Sequence, residues 1–171
     1  MIHCFNKILR TGTLTEPVPA PDQQIAQLGA AFKQEIADHF RGSLAIRMVD
    51  AGSCNGCELE MHALNNPFYD IERFGIHFVA SPRHADLLLV TGVVSRHMQA
   101  ALIRTFAATP APKLVVAMGD CAANGGEFGV SYASCGQVAN VIPVDMVIPG
   151  CPPTPLVLLQ GLLQLLRKKS R

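Results

Sequence analysis

Four of the six cysteines in this chain stand where their thiols can do metal or redox chemistry. Cys54 and Cys57 make a C-x-x-C step in GSCNGCELE (52–60), Cys121 lies in GDCAANGG, and Cys151 in IPGCPPTP. A pair at this spacing suits a redox dithiol, one knuckle of a zinc site, or one edge of an iron–sulfur site. A thioredoxin-like dithiol normally opens a helix and often has Pro between its cysteines; here Asn55-Gly56 fills the gap, and that reading gives Cys121 and Cys151 no role. Four convergent thiolates suit a 4Fe–4S cluster or a structural zinc. Gly52, Gly56, Gly119, Gly125, Gly126 and Gly150 flank the thiols. They let the backbone turn sharply and approach a bulky cubane closely, which favours the cluster. Cys151-Pro152 is an iron–sulfur pairing in which proline stiffens the ligand loop. Zinc sites more often use two C-x-x-C knuckles, and this chain has one; zinc stays open as the alternative. Cys4 and Cys135 lack such surroundings and read as ordinary thiols.

Those thiols need a scaffold that brings distant segments to one place. LAIRMVD (44–50), IHFVA (76–80), DLLLVTG (86–92), KLVVAMG (113–119) and VDMVIPG (144–150) are short β-prone runs. Several are apolar throughout, as strands covered on both faces are. A helix is predicted over 95–109, with Met98, Ala101, Leu102 and Phe106 on one side, and a last helix from Pro153 or Thr154 to Arg167. Strand alternating with helix implies an α/β fold with a mainly parallel sheet and helices on both faces. In such sheets ligands gather in the crevice at the carboxyl ends of the strands. Cys54 and Cys57 follow the first strand, Cys121 the fourth and Cys151 the fifth, so all four reach one edge of one sheet.

Ahead of this unit, residues 1–21 read as an irregular arm, with Pro17, Pro19 and Pro21 favouring extended backbone. Asp22 reads as the N-cap of a helix closed by Gly42, with Ile25, Leu28, Phe32 and Ile36 on one face. That stripe either packs on its own domain or docks on another subunit. The expected division is an N-terminal arm and docking helix over 1–43 and a cluster-binding domain over 44–171.

The totals bound the function. The 171 residues suit about one domain, and 49% apolar content is enough for one sizeable core. Fourteen basic against 13 acidic residues leave a net charge of +1, with no basic stripe for nucleic acid. The near neutrality hints at buried partner surface. The wide cysteine spacing argues against a disulfide framework and for reduced thiols in a cytosolic compartment. The N-terminus lacks a signal-peptide pattern. PLVLLQGLLQLL, the longest apolar run, is too short to span a bilayer and reads as a buried helix.

CNGCELE, SPRHADLLLVTG, GDCAANGG and VIPVDMVIPGCPPTP, in this order over about residues 44–166, together resemble the 20-kDa-type iron–sulfur subunit shared by respiratory complex I and membrane-bound NiFe hydrogenases. The resemblance implies a flavodoxin-like fold and one 4Fe–4S cluster held by Cys54, Cys57, Cys121 and Cys151. Complex I members carry two adjacent cysteines at the first ligand site. The spaced pair here is similar to the small subunit of group 4, energy-converting hydrogenases of the formate hydrogenlyase type. Uptake-hydrogenase small subunits continue into a second domain with two further clusters; with no cysteine after Cys151, this chain is expected to hold the proximal cluster alone. The implied partners are a large subunit, ferredoxin-like iron–sulfur subunits and membrane-embedded subunits. The implied place is the cytoplasmic face of the membrane, peripherally. The large subunit holds the NiFe centre in hydrogenases and lacks it in some complex I-related oxidoreductases.

Two acids follow the second ligand. In a helix Glu58 and Glu60 point in different directions, and either is a proton-relay candidate or a first-turn acid favoured by the helix dipole. The resemblance implies that Arg83, His84 and Asp86, in PRHAD, match a segment towards the quinone end of the complex I subunit. Arg83, His84 and Asp86 are the interface candidates, with His84 as a titrating group and Arg83 as an anchor for a partner carboxylate, or all three in a structural interface role.

Overall fold

The computed structural model describes residues 2–12, 16, 20 and 22–169. Five strands, β1 (Leu44–Asp50), β2 (Ile76–Phe78), β3 (Leu87–Thr91), β4 (Leu114–Met118) and β5 (Met146–Ile148), form one sheet of order β2-β1-β3-β4-β5. Every neighbouring pair is parallel. This is the flavodoxin-like order, with its switch point between β1 and β3. All side chains of β3 and β4 are buried, as their unbroken apolar sequences require. The edge strands are shorter than predicted, ending at Phe78 and confined to 146–148, and they are only partly covered.

Helices cover both faces. On one lie α2 (Gln23–Phe40), α3 (Gly56–Ala63) and α6 (Pro155–Lys169). Their core joins Ile25, Phe32 and Ile36 to Leu44, Ile46, Leu87, Leu89 and the leucines of the last helix. On the other, α4 (Arg96–Ala108), α5 (Asp120–Asn124) and the 138–142 turn enclose Val49, Leu88, Val90, Leu102 and Val115. Burial of this apolar surface supplies the main drive to fold.

Asp22 caps α2 as predicted, accepting from the backbone N–H of Gln24 and Ile25. The α2 stripe is buried in the chain's own core: Ile25, Phe32 and Ile36 are at most 1% exposed, and Leu28 packs against them. Gly29 lets α2 close on Phe74, since a Cβ there would fall 2.0 Å from the ring. Glu35 and Arg167 pair at 3.2 Å between α2 and α6.

The N-terminal arm is not irregular over its first turns. Residues Ile2–Thr11 form a helix, α1, with none of its residues buried. Ile2, Phe5, Ile8 and Leu9 recur at helical spacing, and the prolines that disfavour a helix begin only at Pro17. Pro17, Pro19 and Pro21 lie outside the described residues. The leucines of α6 are buried as a core helix requires, and among the described residues no helix is long and apolar enough to cross a membrane.

Candidate metal centre

The carboxyl end of the sheet is built from three ligand loops. After β1, Asp50 Oδ1 accepts from the backbone N–H of Gly52 and Ser53, both at 2.8 Å, folding the first loop into an Asx turn. Gly92, just after β3, packs under this loop, where a Cβ would lie 2.4 Å from Ser53 N. Asn55 takes a left-handed conformation (φ 71°), and the chain enters α3 between the two cysteines. Cys57 is thus on the first turn of a helix and Cys54 just outside it.

After β4, Gly119 (φ 88°) turns the chain into α5, which carries Cys121. Asp120 ties this loop to the one after β5. Its backbone N–H donates to Gly150 O at 2.9 Å, and its Oδ1 accepts from Gly150 N at 2.8 Å. Cys151 follows directly. The sequence reading did not single out Asp50, Asp120 or Thr91; a carboxylate beside glycine at a strand end was the available signal for the two aspartates.

Cys54, Cys57, Cys121 and Cys151 line one pocket together with Ser53, Asp120 and Pro152. Cys57 and Cys121 are half-buried, Cys54 and Cys151 exposed. Burial pushes the Cys57 thiol up to about 12, and Glu58, Cys54, Cys121 and Cys151 each push it the same way. The Cys121 thiol is also raised, by burial first and then by Cys151, Cys54 and Asp120. Cys57 thus senses the other three thiols and Cys121 senses Cys151 and Cys54, although only the C-x-x-C pair is close in sequence. Among the described residues no group of three or more His, Cys, Asp or Glu is arranged to hold a metal ion. Cys135 is buried in the α4-side core and Cys4 is exposed on α1, so both stand apart from the pocket.

Two glycines shape the space around the sulfurs. A Cβ on Gly119 would lie 2.7 Å from Cys57 Sγ, and one on Gly126 (φ 53°) would lie 2.8 Å from Cys121 Sγ. Both positions leave bare backbone against a thiol, where peptide groups can approach sulfur closely.

The acids after Cys57 do diverge. Glu58 is 5% exposed; its Oε1 accepts from Thr91 Oγ1, and its Oε2 is buried without a hydrogen-bond partner. Glu60 is half-exposed. The PRHAD segment is not brought to the pocket. Arg83 and His84 sit on a short turn before β3, at the amino ends of the strands, and β3 itself separates them from the cysteines. Asp86 Oδ2 accepts from Ala45 N at 2.9 Å, which pins β1 to the start of β3. Asp145 Oδ2 does the same for Val115 N of β4, at 2.8 Å.

The chain has relatives among known proteins. Formate hydrogenlyase subunit 7 of Escherichia coli (strain K12) is 44% identical over 146 residues, covering 85% of this chain and 56% of that protein. The chain therefore spans little more than half the length of that relative. A Pyrococcus furiosus protein described as "Probable membrane-bound hydrogenase subunit mbhJ" is 44% identical over 123 residues, covering 72% of this chain and 74% of its own. Among solved structures, a chain of the membrane-bound sulfane sulfur reductase, an archaeal respiratory membrane complex, superposes with a TM-score of 0.64 at 36% identity, covering 84% of this chain and 74% of that one. Residues 54–165, from the first pocket cysteine to the last helix, match the family model of the NADH ubiquinone oxidoreductase 20 Kd subunit, and the chain belongs to that family.

Proposed function

We propose that this chain is an electron-transfer subunit that holds one 4Fe–4S cluster on Cys54, Cys57, Cys121 and Cys151 and serves a membrane-bound, hydrogenase-type complex. The observation that carries the reading is the meeting of four thiols from three separate strand ends in one pocket, in a chain of this family. The donor set fits the group: four thiols, two of them faced by glycines whose missing side chains leave room beside sulfur. When bound, a single such cluster supplies one-electron transfer and no more.

The chain's own residues do the rest. The thiols must give up their protons to become ligands. Asp50 and Asp120 fix the loops from which three of them project. Glu58 is the acid inside the fold beside Cys57 and is the relay candidate that burial favours; Glu60 is half-exposed on the same helix. The partners in this reading are a large subunit facing the cysteine edge, ferredoxin-like iron–sulfur subunits and membrane-embedded subunits. The chain sits peripherally at the cytoplasmic face. Catalysis belongs to the large subunit. The names of the two relatives support a hydrogenase large subunit with NiFe. The sulfane sulfur reductase relative favours a second reading, the equivalent subunit of a complex I-related oxidoreductase without NiFe. Two C-x-x-C pairs in the large-subunit sequence decide for the first; their absence decides for the second.

The test is iron and sulfide analysis of the anaerobically purified complex, with wild-type chain and with Cys151→Ser. The wild type should exceed the variant by about four irons and four sulfides and carry a reducible paramagnetic signal that the variant lacks. Cys4→Ser and Cys135→Ser should retain both. A colourless chain with stoichiometric zinc on the four thiols would replace this reading with the structural one.

A further inference from the structure

The helix α1 presents an apolar face that no other described residue buries. Ile2, Phe5, Ile8 and Leu9 are 77%, 65%, 65% and 79% exposed. At about 100° per residue they fall within one arc of about 120°. The opposite arc holds His3, Asn6, Lys7, Arg10 and Thr11. Large apolar side chains exposed at this level, on one face and in consecutive turns, need an occupant.

The charge pattern selects the occupant. Lys7 and Arg10 are the charged side chains of α1, and no Asp or Glu occurs before Glu16. A helix with Phe, Ile and Leu on one side and only basic charge on the other is built to lie in the plane of an anionic lipid surface, apolar face down. Ten residues rise about 15 Å, half of a bilayer's hydrocarbon thickness, so α1 lies on the membrane rather than across it. A groove on a protein partner would accept the same apolar face but gives no reason for the one-signed polar side.

We infer that α1 is an interfacial anchor that inserts Ile2, Phe5, Ile8 and Leu9 among the acyl chains of the adjoining leaflet while Lys7 and Arg10 meet anionic headgroups. The inference extends the peripheral placement proposed above without depending on the cluster. A single short helix binds membranes weakly and reversibly. In a complex already held at the bilayer, its effective concentration there is high, so it acts by orienting the subunit rather than by recruiting it.

The experiment is flotation of the full, cluster-loaded chain with vesicles of phosphatidylcholine, with and without phosphatidylglycerol. Wild type should float with the mixed vesicles, less with phosphatidylcholine alone, and less again at high salt. Phe5→Glu with Ile8→Glu should abolish flotation. Lys7→Glu with Arg10→Glu should weaken it about tenfold or more on the mixed vesicles. Iron content and melting temperature report that each variant is folded and loaded, because α1 contributes nothing to the core. Flotation that is absent in wild type, unchanged in both variants, or indifferent to phosphatidylglycerol overturns the inference. So does loss of a partner subunit from the detergent-purified complex in the Phe5, Ile8 variant when wild type ignores vesicles, which would mark a protein groove as the occupant. The metal-free chain should float equally well, so failure of the cluster reading, judged by iron and sulfide in the complex, leaves this one standing.

Discussion

Thr91 Oγ1 donates a hydrogen bond to Glu58 Oε1, joining the end of the central strand β3 to the helix that carries Cys57. Both residues are buried, at 0% and 5% exposure, and the second carboxyl oxygen has no partner. A buried carboxyl with one satisfied oxygen is tolerable; one with none is costly. Thr91→Val keeps the shape and removes the donor. It should lower the stability of the metal-free chain by about 1–3 kcal/mol, read from the denaturant midpoint. Glu58→Gln, whose amide oxygen still accepts from Thr91, should cost less than Thr91→Val. Equal stability of Thr91→Val and wild type would show that this bond does not hold α3 in place.

The glycines facing sulfur give a sharper test of the pocket. Gly119→Ala places a methyl 2.7 Å from Cys57 Sγ, at a positive φ that L-residues avoid. Gly126→Ala does the same 2.8 Å from Cys121 Sγ. Backbone strain of roughly 1–3 kcal/mol comes on top of the clash. Both variants should therefore fold less stably and retain substoichiometric iron. Full iron occupancy in Gly119→Ala would mean that the thiol of Cys57 moves away from this glycine when the ligand loops engage.

Asp86 discriminates structure from interface in the PRHAD segment. Its carboxylate accepts from Ala45 N across the β1–β3 pair, and Arg83 and His84 beside it are exposed. Asp86→Ala should cost about 1.5–3 kcal/mol, the range for hydrogen bonds to a charged acceptor. Arg83→Ala should leave the chain's melting temperature within experimental scatter. If Asp86→Ala melts as wild type does, the strand-pinning role fails.

Much of this arrangement was legible before any coordinates. The unbroken apolar runs of β3 and β4 have one stable place, the middle of a parallel sheet, and the crevice rule then assigned all four cysteines to its carboxyl edge. Asp22 announced α2 because a side-chain oxygen before an apolar-periodic run has few other uses. What stayed hidden depended on contacts between segments far apart in the chain. Glu58 and Glu60 were equivalent by type and spacing, and only the position of Thr91, 33 residues on, makes one of them internal. Asp120 drew no role from its own neighbours, because its carboxylate holds a loop 30 residues away. Helix α1 is a short amphipathic period beside Pro17, Pro19 and Pro21, whose preference for extended backbone does not reach back as far as Thr11.

The half-buried thiol of Cys57 sets the direction in which the empty and filled pockets respond to pH. Burial, Glu58 and three neighbouring thiols hold it at about 12, above the ordinary value of 9.0. Between those values the unfolded chain has released a proton that the folded metal-free chain still binds. Stability must therefore fall as pH rises through that window, and this group contributes no slope below it. Cluster loading runs the other way, because the ligand is the thiolate and binding releases its proton, so a higher pH favours assembly. Melting of the metal-free chain from pH about 8 to about 11 should show a decline that Cys57→Ser makes shallower, with the remainder due in part to Cys121, whose thiol is raised as well. Reconstitution with iron and sulfide over the lower part of that range should improve with pH in wild type. A metal-free chain whose melting temperature ignores pH across the window, with or without Cys57, would mean that the four thiols do not share a pocket before the metal arrives.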